Sequence, residues 1–392
     1  MLESLSKAEP DKILSLMALY REDPRSGKLD LGVGVYKDAA GATPVLRAVR
    51  EAERRLLAMQ TTKSYLGMAG DLAFNRSVSH LVLGDAAPLE RVCAVQTPGG
   101  SGALRVLGEL LHAADRTATV WLPDPTWPNH EQLLGRAGLR LARYPYADAS
   151  GAVQFDAMCA ALSVAPRGDI MLLHGCCHNP TGADLSLAQW RAIGEILRER
   201  ELFPLVDLAY QGFGDGLAED AAGLRALVAQ VPELAVAASC SKNFSVYRDR
   251  VGAAIVVARN PAESETAYSQ LMAAARSLYS MPPDHGAAVV AMILCDAELR
   301  ADWESELSAM RERMQALRRG LADALRQATN SSRFDFLAHG KGMFSRLGIS
   351  VQQVEQLRRE SGVYMVDDSR INVAGLREGG LEDLARKIVA VL

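Results

Sequence analysis

The segment LLHGCCHNPTG (172–182) ends an apolar run with two histidines and two cysteines in five residues, then turns sharply. On a helix, His174 and His178 would share one face and could chelate a metal. The preceding DIMLLHG (169–175) reads instead as a strand, where four residues span about 13 Å, too far to share one ion. Pro180 also disfavours helical geometry at Asn179. Neither a helical HExxH nor a paired CxxC occurs in the chain. The stretch therefore predicts no metal centre. It predicts a loop after a strand, in which Asn179 either caps a turn or offers its amide to a ligand.

Working outward, similar apolar runs recur: RVCAV (91–95), ATVWL (118–122), LFPLVDL (202–208), LAVAAS (234–239) and GAAIVVA (252–258). Helix-like segments such as GALRVLGELLHAA (102–114) and SLAQWRAIGEILRER (186–200) lie between most of them. Continuous apolar strands separated by helices predict an α/β fold with a mostly parallel sheet covered on both faces. The longest helical pattern runs from about 297 to 328. Short strand-like pieces follow it, FDFLA (334–338), GMFSRLG (342–348), VYMVD (363–367) and RINVAG (370–375), around the helix VQQVEQLRRE (351–360). That grammar predicts a smaller α+β domain joined to the large one by the long helix.

Bulk properties narrow the function. The 392 residues carry a net charge of -4 and are 49% hydrophobic, which gives no basic surface for nucleic acid. No apolar run reaches the roughly 18 residues of a membrane span. The opening MLESLSKAEPDKILSLMALY is amphipathic and lacks the basic flank and apolar block of a signal peptide. Six scattered cysteines fit reduced thiols in a cytoplasmic protein better than a disulfide framework.

In open parallel sheets, ligands sit beyond the carboxyl ends of the strands. Asp207 and Tyr210 follow one strand in LVDLAYQGF, and Lys242 follows another in AASCSKNF, flanked by Ser239 and Ser241. A lysine at the end of an apolar strand either snorkels or acts as an imine-forming amine. TPGGSGALRVLG (97–108) is a glycine-rich turn opening a helix, a seat for a phosphate on backbone N–H groups. Trp127 in DPTWPNH offers a flat aromatic face, and Arg250 precedes the next strand. One ligand uses all of these: a phosphorylated, planar, nitrogen-containing aromatic aldehyde, pyridoxal 5'-phosphate. Lysine binds the aldehyde and aspartate keeps the ring nitrogen protonated. Tyrosine and asparagine hold the ring hydroxyl, and the glycine turn, serines and arginine take the phosphate.

At these residues the sequence resembles the aspartate/aromatic amino acid aminotransferases, class-I enzymes of pyridoxal-phosphate fold type I. The resemblance runs over nearly the whole chain, through LGVGVYKD (31–38), TKSYLG (62–67), TPGGSGALR (97–105), PTWPNH (125–130), HGCCHNPTG, DLAYQGF, SKNF, RVGA, YSMPP, GMFS and SRINVAG. It implies that Lys242 carries the cofactor and shuttles the proton. Asp207 pairs with the pyridine nitrogen, backed by His130, while Tyr210 and Asn179 contact the ring hydroxyl. Trp127 stacks on the ring. Gly100, Ser101, Ser239, Ser241 and Arg250 bind the phosphate, with Tyr65 reaching it from a neighbouring subunit. Arg370 clamps the substrate α-carboxylate, Gly34 closes over it, and Arg276 of the second subunit meets an acidic substrate side chain. The implied assembly is a homodimer with shared sites, acting on amino acids and 2-oxo acids. The implied organisation is an N-terminal arm and start of the small domain (1–30), a large cofactor-binding domain (31–296), and the long helix with the small domain (297–392).

The chain departs from that pattern at Asp367, Asp368 and Ser369, where relatives have small residues and a glycine before the arginine. An acid there could hold the fork of Arg370 or compete with substrate. Arg346 stands where an aromatic is usual, and Met281 where a polar residue is commoner. These changes leave the chemistry and bear on substrate range; the expectation is that dicarboxylic and aromatic amino acids are both accepted. A lyase or decarboxylase could use the same Lys242 and Asp207, but Arg370 with Arg276 favours two-carboxylate recognition. A cofactor-binding regulatory protein would need an added DNA-binding segment. A nucleotide-binding Rossmann protein would want GxGxxG after its first strand and would leave Lys242 unexplained.

Overall fold

The computed structural model describes residues 2–7, 12–148 and 151–392. Positions 1 and 8–11 of the expected N-terminal arm lie outside the described residues.

Among the described residues eleven strands follow in chain order. They begin with β1 (Leu29–Asp30), β2 (Val92–Pro98), β3 (Thr119–Asp124), β4 (Arg140–Pro145), β5 (Ile170–His174) and β6 (Phe203–Leu208). They continue with β7 (Leu234–Ser239), β8 (Val251–Val257), β9 (Phe344–Arg346), β10 (Val363–Tyr364) and β11 (Arg370–Asn372). Seven form one sheet in the order β2-β8-β7-β6-β5-β3-β4. Only β8 opposes its neighbours; β7, β6, β5, β3 and β4 pair in parallel.

The apolar runs form central strands because both faces are buried. Side chains alternate across a strand. Met171, Leu173, Val206, Leu208, Val236 and Ile255 face one core, and Ile170, Leu172, Leu205, Ala235, Ala237 and Ala254 face the other. In the seven-stranded sheet the expected strands therefore all form, with one addition: RLARYP forms β4. This edge strand is mostly exposed, and Arg143 pairs with Asp124 and Glu131.

A third core gathers Leu31 with Leu317, Leu321, Phe334, Leu357, Ile371 and Ile388. It packs around two small sheets, β1 parallel to β10 and β9 antiparallel to β11. The long helix Ala297–Thr329 serves two cores: Trp303, Leu307, Met310 and Met314 enter the first, and Leu317, Leu321 and Leu325 the third. Asp296 caps its start by accepting from two backbone N–H groups, and Asn330 ends it in left-handed geometry. Ser186 and Ser350 each open a helix with a full capping box. FDFLA is not the expected strand. It forms the short helix Phe336–His339, because Phe334 and Leu337 are buried at a spacing of three. Among the described residues no helix is long and apolar enough to cross a membrane.

Candidate active site

The carboxyl ends of β2, β3, β5, β6 and β7 share one edge of the sheet. Because β8 runs the other way, its amino end arrives there too and brings Arg250. This topology gathers residues far apart in sequence around a cavity of about 220 Å³. From the sheet ends come Gly100, Ser101, Trp127, Asn179, Asp207, Tyr210, Ser239, Ser241, Lys242 and Arg250. Gly34 and, from β11, Arg370 close the other side.

Lys242 and Asp207 sit at the floor. Lys242 Nζ lies 4.8 Å from the centre of the Tyr210 ring. Burial pushes its ammonium down to about 8; Asp207 opposes that and Arg250 adds to it. Burial also pushes the Asp207 carboxyl up, but His130 outweighs this, helped by the charges of His174 and Lys242, and the net shift is downward. His130 Nε2 stands 3.0 Å from Asp207 Oδ2. The chain of contacts continues from His130 Nδ1 to Thr126 Oγ1 (2.8 Å) and on to His174 Nε2 (3.1 Å). A carboxylate so placed remains ionised facing the cavity.

One wall suits a phosphate. Helix Gly99–Ala114 starts without any side-chain cap, so its first N–H groups point outward unpaired by side chains. Arg250 packs against Gly99, where a Cβ would come within 2.5 Å of its Nη2. Arg250 also donates to Ser241 Oγ (3.4 Å) and to the Tyr247 carbonyl (2.9 Å).

The opposite wall suits a carboxylate. Arg370 is 4% exposed and donates from Nη1 to Asn179 Oδ1 (3.2 Å) and from Nη2 to the Gly32 carbonyl (3.0 Å). Its Nε is buried without a partner. An orphaned charged donor beside a cavity is the feature an anionic ligand would satisfy. Asp367 and Asp368 do not occupy this fork. Asp367 accepts from Arg358. Asp368 Oδ1 accepts from the backbone N–H of Arg370, and its carbonyl takes Arg346 Nε at 3.0 Å.

Two expected residues lie elsewhere in this chain. Tyr65 is 92% exposed, and Arg276 is an exposed side chain that donates to Ser280 Oγ (2.5 Å). Neither lines the cavity of its own chain, nor does Met281. Ile13, His174, Cys176, Tyr247 and Phe344 also line it, and the sequence reading gave none of them a role at the site. Phe344 lies in the quoted GMFS, and His174 and Cys176 lie in the quoted HGCCHNPTG, which points to the loop rather than to the cavity.

The opening histidines also differ from expectation. Their rings lie 4.2 Å apart, because β5 stops at His174 and the loop doubles back. His174 is tied to Thr126 and accepts from the Asn179 N–H, while His178 Nδ1 is tied to Thr181 Oγ1. Burial pushes both rings down, His174 to about 3. Nearby, Cys176, Cys177 and Asp220 bring three potential ligand atoms within 4.8 Å. The Asp220 carboxylate already accepts three backbone N–H groups, from Gly212, Gly214 and Asp215.

Comparison with known proteins agrees with this geometry. Residues 26–388 match the family described as Aminotransferase class I and II. The chain is 50% identical to the aromatic-amino-acid aminotransferase of Paracoccus denitrificans over 392 residues, the full length of both. It is 46% identical to the aspartate aminotransferase of Escherichia coli K12, again across 100% of each. The solved aromatic-amino-acid aminotransferase from Burkholderia pseudomallei, covalently bound to pyridoxal phosphate, superposes with a TM-score of 0.96 at 42% identity. That match covers 100% of this chain and 99% of the other. The fold, the gathered cavity and full-length kinship converge, and the chain belongs to the class I and II aminotransferases.

Proposed function

We propose that this chain is a pyridoxal-phosphate transaminase. It moves the amino group of acidic or aromatic amino acids to a 2-oxo acid, 2-oxoglutarate, in two half-reactions. The observation that carries this is the sharing of one cavity by Lys242, Asp207 and Arg370, with Arg370 Nε left unpartnered.

The cofactor, when bound, supplies an electron sink for the substrate's α-carbon. The chain's own groups do the rest. Asp207 would favour positive charge on the pyridine nitrogen, and His130 keeps Asp207 in place and ionised. The first turn of helix Gly99–Ala114, with Ser239, Ser241 and Arg250, holds the phosphate. Tyr210 and Asn179, which line the cavity, would hold the ring hydroxyl, and Trp127 would offer its aromatic face to the ring. Arg370 fixes the substrate carboxylate, which restricts how the α-C–H bond presents to Lys242. Lys242 Nζ, made a weaker base by burial, would take up and hold the α-proton of the bound amino acid.

Tyr65 and Arg276 are assigned to the active site of a second copy. Exposed Leu57 and Met59, beside Tyr65 in the chain, support a homodimer that covers this surface. The free state of the six cysteines supports a cytoplasmic location. The separate third core supports a large domain over 31–296 and a small one from 297. Leu31 belongs to that third core, so the first boundary fits better a few residues later.

The test is Lys242→Ala, assayed for glutamate formation from 2-oxoglutarate. We expect loss of the lysine-bound cofactor absorbance and of nearly all turnover. Near-normal turnover would end the assignment. Wild-type release of carbon dioxide or ammonia without glutamate would favour a lyase instead.

A further inference from the structure

We propose that Arg318 is a positioning residue for the carboxylate fork of Arg370. The inference rests on the transaminase reading and deepens it.

Arg318 lies on the long helix and is 1% exposed. Among the described residues no carboxylate forms an ion pair with it. A buried, unpaired guanidinium costs several kcal/mol unless its donors are met. Here they are met, almost wholly by carbonyls of one turn. Nε donates to Gly342 O (3.3 Å). Nη1 donates to Leu337 O (3.3 Å) and Ser345 Oγ (3.2 Å). Nη2 donates to the carbonyls of Lys341 (3.0 Å), Gly342 (2.9 Å) and Phe344. That turn, with Gly342 at φ 71°, leads into β9.

The same turn is fastened to the loop after β5. Lys341 N donates to Gly182 O (2.7 Å), and Ser345 Oγ to Thr181 O (3.4 Å). A Cβ on Gly182 would meet Phe344 O at 2.5 Å and Arg318 Nη2 at 3.0 Å. The Phe344 ring lies 4.4 Å from the Arg370 guanidinium carbon, and Asn179 Oδ1 accepts from Arg370 Nη1. Two of the contacts that aim the fork thus come from segments that meet at Arg318; the third, from Nη2 to the Gly32 carbonyl, does not. Releasing that junction lets Phe344 and Asn179 shift independently, so the fork keeps its tie to Gly32 but loses the two contacts that fix its tilt. Lys242 and Asp207, held by the sheet, are unaffected.

The test uses Arg318→Met and Arg318→Lys as holoenzymes. Two quantities are read: the pH midpoint of the bound-cofactor absorbance, and the Kd of the unreactive carboxylates succinate and 3-phenylpropionate. We expect both ligands to bind at least tenfold more weakly in Arg318→Met, with partial recovery in Arg318→Lys and an unmoved midpoint. A Kd within twofold of wild type overturns the proposal. So does a midpoint that moves together with the Kd, since that is a global loss. If Arg318→Met does not fold, Ser345→Ala removes one acceptor and keeps the charge. It should weaken binding about threefold, and unchanged binding overturns the proposal. A wild-type chain with no lysine-bound cofactor absorbance would instead sink the transaminase reading itself.

Discussion

A Cβ added at Gly34 would stand 2.8 Å from Phe344 Cζ. Phe344 also packs on the guanidinium of Arg370 and edge-to-face on Tyr210, so its ring has little room to yield. Gly34→Ala should therefore push Phe344 against the carboxylate fork. Overpacking of this kind costs about 1–2 kcal/mol, so KM for the amino acid should rise roughly tenfold with a smaller change in kcat. Adding Phe344→Leu should recover much of the loss, because the smaller side chain makes space. Steady-state kinetics on the single and double variants measure this coupling; additive losses would argue against a direct clash.

Burial lowers the Lys242 ammonium to about 8. The cofactor-free protein should therefore take up pyridoxal phosphate at a rate that rises with pH up to about 8 and then levels. An unshifted lysine would keep rising toward roughly 10.4. The sign for stability follows. Between about 8 and the unfolded value the unfolded chain holds more protons, so the cofactor-free protein should gain stability as pH rises through that window. Stopped-flow absorbance across pH 6.5–10 separates the two midpoints.

His174 and His178 are buried and neutral, with folded values far below that of a free histidine. Below about pH 6.5 the unfolded chain binds protons that the folded chain refuses, so stability falls with pH at up to about 1.4 kcal/mol per unit per histidine. His178→Gln removes one of these groups. Between pH 7 and pH 5 the variant should lose about 2 kcal/mol less stability than wild type, even if it starts less stable. Urea midpoints at the two pH values give the comparison, and equal losses would mean His178 titrates normally.

The parts of this architecture legible in the sequence are those where one physical signal dominates. β5, β7 and β8 are buried throughout, and apolar up to the His174 and Ser239 that end β5 and β7, because both faces are covered; Asp207, Ser239, Ser241 and Lys242 follow from strand ends. β4 escaped because an edge strand with exposed arginines lacks that signal. FDFLA misled because two aromatics suggest a strand while burial spacing selects a helix turn. The closeness of His174 and His178 was hidden by where β5 stops, which no periodicity reveals. Arg318 resembles Arg311 and Arg319 on the same helix in composition. Only packing shows that it is buried.

We propose that Arg346 bears on substrate breadth. Arg346 is the register partner of Arg370 across β9 and β11, so the two cations share one sheet face. Asp368 stands between them, bonded to the Arg370 backbone and 3.8 Å from Arg346 Nε. Asp368 is thus held by the backbone; its charge favours the Arg370 cation without forming an ion pair with the fork. Arg346, about one-third exposed, adds a screened positive charge near the carboxylate fork. Wild type should accept aspartate and phenylalanine with kcat/KM values within a thousandfold, about 4 kcal/mol. Arg346→Phe removes the cation and should lower the aspartate-to-phenylalanine ratio by about fivefold, roughly 1 kcal/mol for a partly exposed charge. Raising ionic strength should shrink that difference. A ratio that is unchanged or rises in the variant would mean that Arg346 supplies no net attraction for the aspartate side-chain carboxylate.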